Sequence, residues 1–267
     1  MKKSIVDRAT QLFNEGKIQG FLGLREQNGL IAPYLFTRPE ELSELSLGDV
    51  DSAGDARYPI AKVLLDVAGA YPEAILGVML RGCEERSLIE LFKWNQLKED
   101  HVVRVGMACP ADLAQRCQCL KPYPENPVAG EIVPGVEAQA TVAAVDAIPV
   151  EERFQYWLGE FDKCVKCYGC RNICPVCFCK EWTLEETELI ETGHLPVENP
   201  IFHLTRAVHM IGRCIDCGLC EEACPADIPL RTLYKKVAAL VAEQTGYRPG
   251  MSTDEKCPFN LFSAPGA

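Results

Sequence analysis

The chain has 267 residues, 48% of them hydrophobic and 24% charged, and a formal net charge of −11. That size accommodates two modest domains with real cores, and the apolar fraction is that of a globular protein. The acidic balance argues against nucleic-acid binding, which needs a basic surface to neutralise phosphates.

Ile5, Val6, Ala9, Leu12 and Phe13 recur at helical spacing and predict an amphipathic helix over 4–15. "IQGFLGLRE" and "LIAPYLF" read as two strands joined by the turn "QNG". The acidic stretch "PEELSELSLGDVDSAGD" is polar and broken by glycine, so a solvated loop or short helix is expected. From residue 58 the texture is α/β. "AKVLLDVAGAY" reads as a helix, "AILGVML" as a strand, "EERSLIELFKWNQL" as an amphipathic helix and "HVVRVGMA" as a second strand. Strand, helix and strand in that order imply a parallel pair joined right-handedly.

Residues 121–150, rich in proline and valine, read as a linker with one or two short strands. Beyond it "TLEETELIET" predicts a short helix. "NPIFHLTRAVHMIG" places Ile201, Leu204, Val208 and Ile211 on one helical face, and "IPLRTLYKKVAALVAEQTG" predicts a helix ended by Gly246. The expected architecture is an α/β domain with a short parallel sheet over 1–150, followed by a mainly α-helical domain over 151–267.

The N-terminal stretch "MKKSIVDRATQLFNEGK" has no apolar core of an export signal. No run of about 18 apolar residues occurs either, so a cytoplasmic location without a membrane span is expected. In that setting fifteen cysteines, an odd number, point to metal binding rather than to disulfides.

Eight of the fifteen stand in two runs with one ruler, "CVKCYGCRNICP" at 164–175 and "CIDCGLCEEACP" at 214–225. Both spell C-x2-C-x2-C-x3-C-P. Three cysteines at this spacing can wrap one face of a [4Fe-4S] cube, and the fourth, before proline, ligates the other cluster in two-cluster proteins. Cys164, Cys167, Cys170 and Cys224 are thus expected to hold one cluster, and Cys214, Cys217, Cys220 and Cys174 a second. The alternative is a pair of zinc knuckles, although zinc needs neither the third cysteine nor the Cys-Pro ending.

The run "CIDCGLCEEACPADIPLRTLY", with its helical insert upstream, resembles the α-helical two-cluster ferredoxin domains. Those occur in heterodisulfide reductase small subunits, succinate dehydrogenase iron–sulfur subunits and Rnf-type complexes. The resemblance covers 155–245 and implies a conductor of single electrons.

Cys83 and Cys109 follow the two parallel strands, where open α/β folds build their sites, and Cys117 and Cys119 come soon after. These four could hold a third cluster, or be small buried hydrophobes. Residues 57–110 resemble the β-subunit family of deazaflavin-dependent hydrogenases and dehydrogenases. The likeness lies in an Arg-Tyr step, a helix, a strand ending in a cysteine loop and a second strand ending at a cysteine. It implies a [4Fe-4S] cluster on Cys83, Cys109, Cys117 and Cys119, together with FAD. Three departures stand out. "RGCEE" replaces the family's Pro-Cys-Gln loop, C-x-C replaces C-x2-C, and "IQGFLGLREQNG" stands where a glycine-rich flavin segment belongs. A third cluster is therefore expected, and a flavin is not.

Cys177 and Cys179, in "CPVCFCK", are the other candidates for completing the third site, or else line the first cluster; Cys257 reads as a plain thiol. His203 and His209 read as surface or packing residues. Lys163, Lys166, Arg171, Lys180 and Arg213 put positive charge around the runs, either as a solvated face or to raise cluster potentials and guide an acidic partner. The expected function is an iron–sulfur electron-transfer subunit of a redox complex. Its partners would be a hydrogenase, a formate dehydrogenase or a heterodisulfide-reductase-like flavoprotein, and the chain itself would make no bonds. One rival is a flavin-containing oxidoreductase that reduces a deazaflavin or nicotinamide itself. Another is a redox-sensing module, for which no DNA-binding motif is visible.

Overall fold

The hairpin signalled by "QNG" forms the edge of a sheet. In the computed structural model, which describes residues 1–136, 140–180, 182 and 198–259, β1 (Gly20–Gln27) pairs antiparallel with β2 (Leu30–Phe36). Asn28 and Gly29 take positive φ angles of 55° and 76°, as a two-residue turn between right-twisted strands requires. Pro33 is tolerated because β2 is an edge strand, where the missing N–H leaves no neighbour unpaired.

The acidic stretch expected as a loop or short helix folds as a 3-10 turn (Pro39–Glu44) and then as β3 (Leu45–Ser46), which pairs with Leu24 and Arg25 of β1. Leu42 and Leu45, fully buried, supply the reason. Burying each contributes roughly 1.5–3 kcal/mol, which outweighs the polarity of the surrounding residues. β4 (Leu76–Leu80) and β5 (Val102–Met107) form the expected parallel pair, and β6 (Pro127–Ala129) adds a further parallel strand. The order is β2-β1-β4-β5-β6, with β3 on β1. β4 is buried at every position, the pattern of a strand covered on both faces.

Three helices pack on this sheet. α1 (Lys2–Asn14) buries Ile5, Ala9 and Leu12 along one stripe, and α2 (Ile60–Ala70) buries Ile60, Ala61 and Leu64. α3 (Gly82–Lys93) begins one residue after β4, its start closed by the Arg81 N–H donating to the Glu84 carboxylate at 2.6 Å. Glu90, fully buried on α3, accepts from Lys93 Nζ at 2.7 Å and from the Gly250 N–H at 2.6 Å. The late segment Pro249–Glu255 therefore belongs to the sheet unit. Gly250 has φ +74°, and a Cβ there would sit 2.7 Å from the Arg86 carbonyl oxygen.

The chain divides into two compact units, Met1–Ala138 with Pro249–Glu255 and Gln139–Arg248 with Lys256–Ala267. Within the stretch expected as a linker, β6 joins the sheet and α5 (Ala140–Asp146) is helical. Two more helices lie outside the elements expected from sequence, α4 (Ala111–Arg116) in the first unit and α6 (Val150–Asp162) in the second. The second unit continues with the short turns α7 (Gly169–Asn172) and α9 (Leu219–Glu222) and the longer α8 (Asn199–His209) and α10 (Leu230–Thr245). α10 ends as expected at Gly246, φ 73°, whose N–H returns to Ala242. The helix expected over 183–192 lies outside the described residues. Phe161, Cys170, Phe202, Ala207, Ile228, Leu230 and Tyr234 form the core of this unit.

α8 turns inward the face opposite to its apolar spacing. Ile201, Leu204 and Val208 do share a face, but they are 59%, 46% and 66% exposed. Asn199, Phe202, His203, Arg206 and Ala207 are buried instead, again at helical spacing. Among the described residues, no helix is long and apolar enough to cross a membrane.

Candidate metal centres

Both cysteine runs adopt the same backbone. Lys166 and Tyr168 in the first, and Asp216 and Gly218 in the second, take left-handed φ angles of 52°, 59°, 57° and 81°. A single helical turn follows each pair, α7 carrying Cys170 and α9 carrying Cys220. Alternating left- and right-handed residues turn successive N–H groups inward, forming the concave nest that receives anions and iron–sulfur groups. Accordingly the Lys166 N–H points to Cys164 Sγ at 3.3 Å and the Gly169 N–H to Cys167 Sγ at 3.5 Å. The Asp216 N–H serves Cys214 in the same way.

A left-handed non-glycine residue costs about 1–2 kcal/mol, so something must hold it. Lys166 is paired with Glu198, just before α8. Asp216 is held from α10, by Arg231 Nε at 2.7 Å and Lys235 Nζ at 2.9 Å.

The last cysteine of each run acts electrostatically on cysteines of the other. Cys224 is an electrostatic neighbour of Cys164 and Cys170, and Cys174 of Cys214 and Cys220. Burial pushes the Cys170 thiol up to about 11 and Cys214 up to about 12, and raises Cys164 and Cys220 as well. Thiols crowded by thiols in a buried setting stay protonated, whereas a coordinating metal holds sulfur as thiolate.

α8 supports the first run with its polar side chains. Asn199 Nδ2 donates to the Cys164 carbonyl at 2.8 Å, and Arg206 Nη2 to the Cys170 carbonyl at 2.9 Å. Arg206 Nη1 lies 3.8 Å from Cys177 Sγ. Two buried donors beside the cysteines, Arg206 Nε and the Tyr234 hydroxyl, have no hydrogen-bond partner among the described residues. Thiols, N–H groups aimed at sulfur, a buried cation and unmatched donors are the chemistry an iron–sulfur group takes. Among the described residues no three His, Cys, Asp or Glu side chains are gathered as a single metal ion would need. A four-iron cube is larger than one ion and takes one thiolate per iron, which sets its ligands further apart.

Arg206 escaped the sequence reading, which looked for charge beside the runs in sequence. Its only signal was helical register with Asn199 and His203. Of the cations expected around the runs, Lys163 pairs with Glu160 at 2.8 Å, Arg171 lies over Trp182 and Arg213 over Phe178, and Lys180 is exposed. His203 is a packing residue, stacked on Phe161 at 4.8 Å and edge-on to Phe202 at 5.0 Å. Burial, with the Arg206 charge, lowers its pKa to about 4, so it is neutral. His209 Nε2 lies 3.2 Å from Cys179 Sγ and 3.2 Å from Arg213 Nη2. Cys257 is buried beside Gly212.

In the first unit, Cys83 lies in the first turn of α3 and Cys109 two residues past β5. α4 brings the chain back, with the Cys117 N–H on the Leu113 carbonyl at 2.9 Å and the Cys119 N–H on that of Ala114 at 3.1 Å. Gln118 between them is left-handed, φ 41°. Gly82 explains the departure at "RGCEE". A Cβ there would fall 2.6 Å from the Lys121 carbonyl oxygen and 2.7 Å from the Tyr123 nitrogen, so the strand of chain after Cys119 runs directly over the start of α3. Cys119 thereby becomes an electrostatic neighbour of both Cys83 and Cys109.

Three guanidinium groups face these sulfurs. Arg57 Nη1 lies 3.9 Å from Cys117 Sγ, Arg81 Nη1 3.9 Å from Cys109 Sγ, and Arg86 Nη2 3.7 Å from Cys119 Sγ. Burial pushes Cys83 up to about 12 against the pull of Arg57 and Arg86. Arg81 also donates to the Leu47 carbonyl at 2.8 Å and Arg86 to that of Lys121 at 2.8 Å.

Residues 160–228 match the family model of the 4Fe-4S dicluster domain. The chain is 40% identical over 105 residues to the F420-dependent formate dehydrogenase subunit beta of Methanocaldococcus jannaschii, a match covering 39% of this chain and 28% of that protein. It is 35% identical over 112 residues to the F420-dependent formate dehydrogenase 1 subunit beta of Methanococcus maripaludis, covering 41% and 28%. A third relative, the acetyl-CoA decarbonylase/synthase complex subunit alpha 1 of Methanosarcina acetivorans, is 30% identical over 104 residues, covering 39% and 11%. These matches thus span little more than a quarter of the formate dehydrogenase relatives. The chain carries a 4Fe-4S dicluster domain, similar to parts of formate dehydrogenase beta subunits and of acetyl-CoA decarbonylase/synthase alpha subunits.

Proposed function

We propose that this chain is an iron–sulfur electron-transfer subunit of a cytoplasmic redox complex. It relays single electrons between a catalytic subunit of formate dehydrogenase or hydrogenase type and a flavin- or heterodisulfide-reductase-like partner. The observation that carries this reading is the repeated backbone of the two runs, and the electrostatic influence of each run's last cysteine on cysteines of the other run supports it. On this reading Cys164, Cys167, Cys170 and Cys224 hold one [4Fe-4S] cluster, and Cys214, Cys217, Cys220 and Cys174 the second. When bound, such clusters take up and release single electrons. The chain's own residues form the nest, exclude water and set the local charge. Residues 151–267 would house these two clusters, and residues 1–150 a third on Cys83, Cys109, Cys117 and Cys119. Support for the third is the placement of Cys83 and Cys109 after adjacent parallel strands and the arginines facing the sulfurs.

The relatives are subunits of F420-dependent formate dehydrogenases and of an acetyl-CoA decarbonylase/synthase complex, which supports a complex as the setting. The name F420-dependent formate dehydrogenase also favours a second reading, in which this chain contains FAD and reduces a deazaflavin or nicotinamide itself. Anaerobic isolation of the full chain with whatever accompanies it separates the two. Paramagnetic iron–sulfur signals with no flavin in the heat-denatured supernatant support the relay. Stoichiometric FAD supports the enzyme, and iron-free protein overturns both.

A further inference from the structure

Among the described residues Arg206 is the one arginine among the largest fully buried side chains, 1% exposed, and its Nη1 lies 3.8 Å from Cys177 Sγ. Its guanidinium donates to the Cys170 carbonyl at 2.9 Å, and Cys170 belongs to the first set. Cys174 is also among its charge neighbours, and Arg206 acts in turn on Cys220; both of these belong to the second set. Burial is the largest influence on it and opposes its charge, while the Tyr234 hydroxyl and the thiols of Cys174, Cys170 and Cys177 favour that charge. A buried cation with no carboxylate partner among the described residues costs several kcal/mol, so an apo protein of this design would be poorly stable. Negative charge brought by thiolate-bound iron–sulfur groups on both sides removes that cost. Nε, still without a partner among the described residues, is a donor left over for sulfur.

We propose that Arg206 is the shared potential-setting residue of the two clusters. The proposal rests on the cluster assignment given above. Reduction of either cluster adds one electron and one negative charge, and no bond is made or broken. A fixed positive charge in a low-dielectric interior stabilises the reduced form of whichever cluster it faces, and Arg206 faces both. It therefore raises both midpoint potentials together, and reduction of one cluster partly spends that help, making the other harder to reduce. Among the cations near the runs, Lys163 pairs with Glu160, Lys166 with Glu198 and Arg231 with Asp216, so their charges are already compensated.

The test is redox titration of the anaerobically purified full chain, followed by electron paramagnetic resonance, in wild type, Arg206→Gln, Arg206→Lys and Lys163→Gln. Gln keeps a donor for the Cys170 carbonyl but loses the charge. The expected result is a fall in the reduction equilibrium of both clusters by at least about tenfold, which is ~59 mV for one electron. Arg206→Lys should stay within about threefold of wild type, and Lys163→Gln should leave both potentials unmoved. If only one cluster shifts in Arg206→Gln, or neither does, the proposal is overturned while the cluster assignment stands. If Arg206→Gln does not load clusters, Arg206→Lys decides, since a tenfold fall with the charge retained would equally overturn it. Wild type lacking two ferredoxin-type signals would remove the cluster assignment itself, a result visible before any variant is compared.

Discussion

Asn199 on α8 donates its side-chain amide to the carbonyl oxygen of Cys164, the first cysteine of the first run, at 2.8 Å. Asn199 is buried, and the bond ties the run's entry to a helix far along the chain. Replacement by alanine leaves a part-buried carbonyl without its donor, at a cost of about 1 kcal/mol. Asn199→Ala should therefore lower the midpoint of anaerobic thermal unfolding and speed the bleaching of cluster absorbance. An unchanged midpoint would mean that the bond contributes nothing to holding the run.

Exchange of the last cysteines has a spectroscopic consequence. Cys174 neighbours Cys214 and Cys220 although it lies in the other run. Cys174→Ala should damage the same cluster as Cys217→Ala, leaving a labile, three-iron-type resonance, while Cys167→Ala should damage the other. Should Cys174→Ala group with Cys167→Ala, each run closes on its own cluster and the assignment is wrong.

Three four-iron cubes require about 12 irons per chain, and two require about 8. Gly82→Ala separates these cases. The new Cβ would lie 2.6 Å from the Lys121 carbonyl oxygen and 2.7 Å from the Tyr123 backbone, so the segment after Cys119 must move. Iron should fall from about 12 to about 8 per chain while the signals of the dicluster domain persist. Wild-type protein with about 8 irons would show that the third set is empty.

Gly250 has φ +74° and packs on the backbone of Arg86. Alanine there meets both a left-handed penalty and a backbone clash, so Gly250→Ala should destabilise the first unit by at least about 2 kcal/mol. Urea unfolding under anaerobic conditions, read on the tryptophan at position 94 of α3's cap, measures it.

His203 makes stability depend on pH. Its folded pKa is lowered from 6.5 to about 4, so between these values the unfolded chain binds the extra proton and folding loses ground as pH falls. The contribution is complete above the unfolded value and declines through the window from 6.5 down to about 4, by roughly 3 kcal/mol in all. His203→Phe, which keeps the stack on Phe161, should flatten the wild-type loss of stability between pH 7 and 5. Parallel pH curves for the two proteins would show that His203 does not titrate in that window.

Periodicity in the sequence reached α1, the hairpin β1–β2, the parallel pair β4–β5 and α10, because each buries a regular apolar stripe that its own residues spell out. It missed β3, α4 and α5, which are too short to show a period, and α6, which buries Phe161 alone and so has no apolar stripe to show. It read the apolar stripe of α8, Ile201, Leu204 and Val208, but could not say that this stripe faces outward. That choice belongs to the cysteine runs, whose carbonyls need Asn199 and whose sulfurs gather around Arg206.

The cysteine ruler, by contrast, is a property of covalent spacing. Two or three residues between successive cysteines bound the reach of a loop whatever surrounds it, so the sequence alone determined that two iron–sulfur motifs stand in this chain. Charge around the sulfurs is not set by spacing. Arg57, Arg81 and Arg86 meet Cys117, Cys109 and Cys119 across long stretches of chain. Only the parallel pairing of β4 with β5 and the close passage over Gly82 bring those sulfurs together, because interactions between residues remote in sequence exist only once backbone packing has brought them within reach.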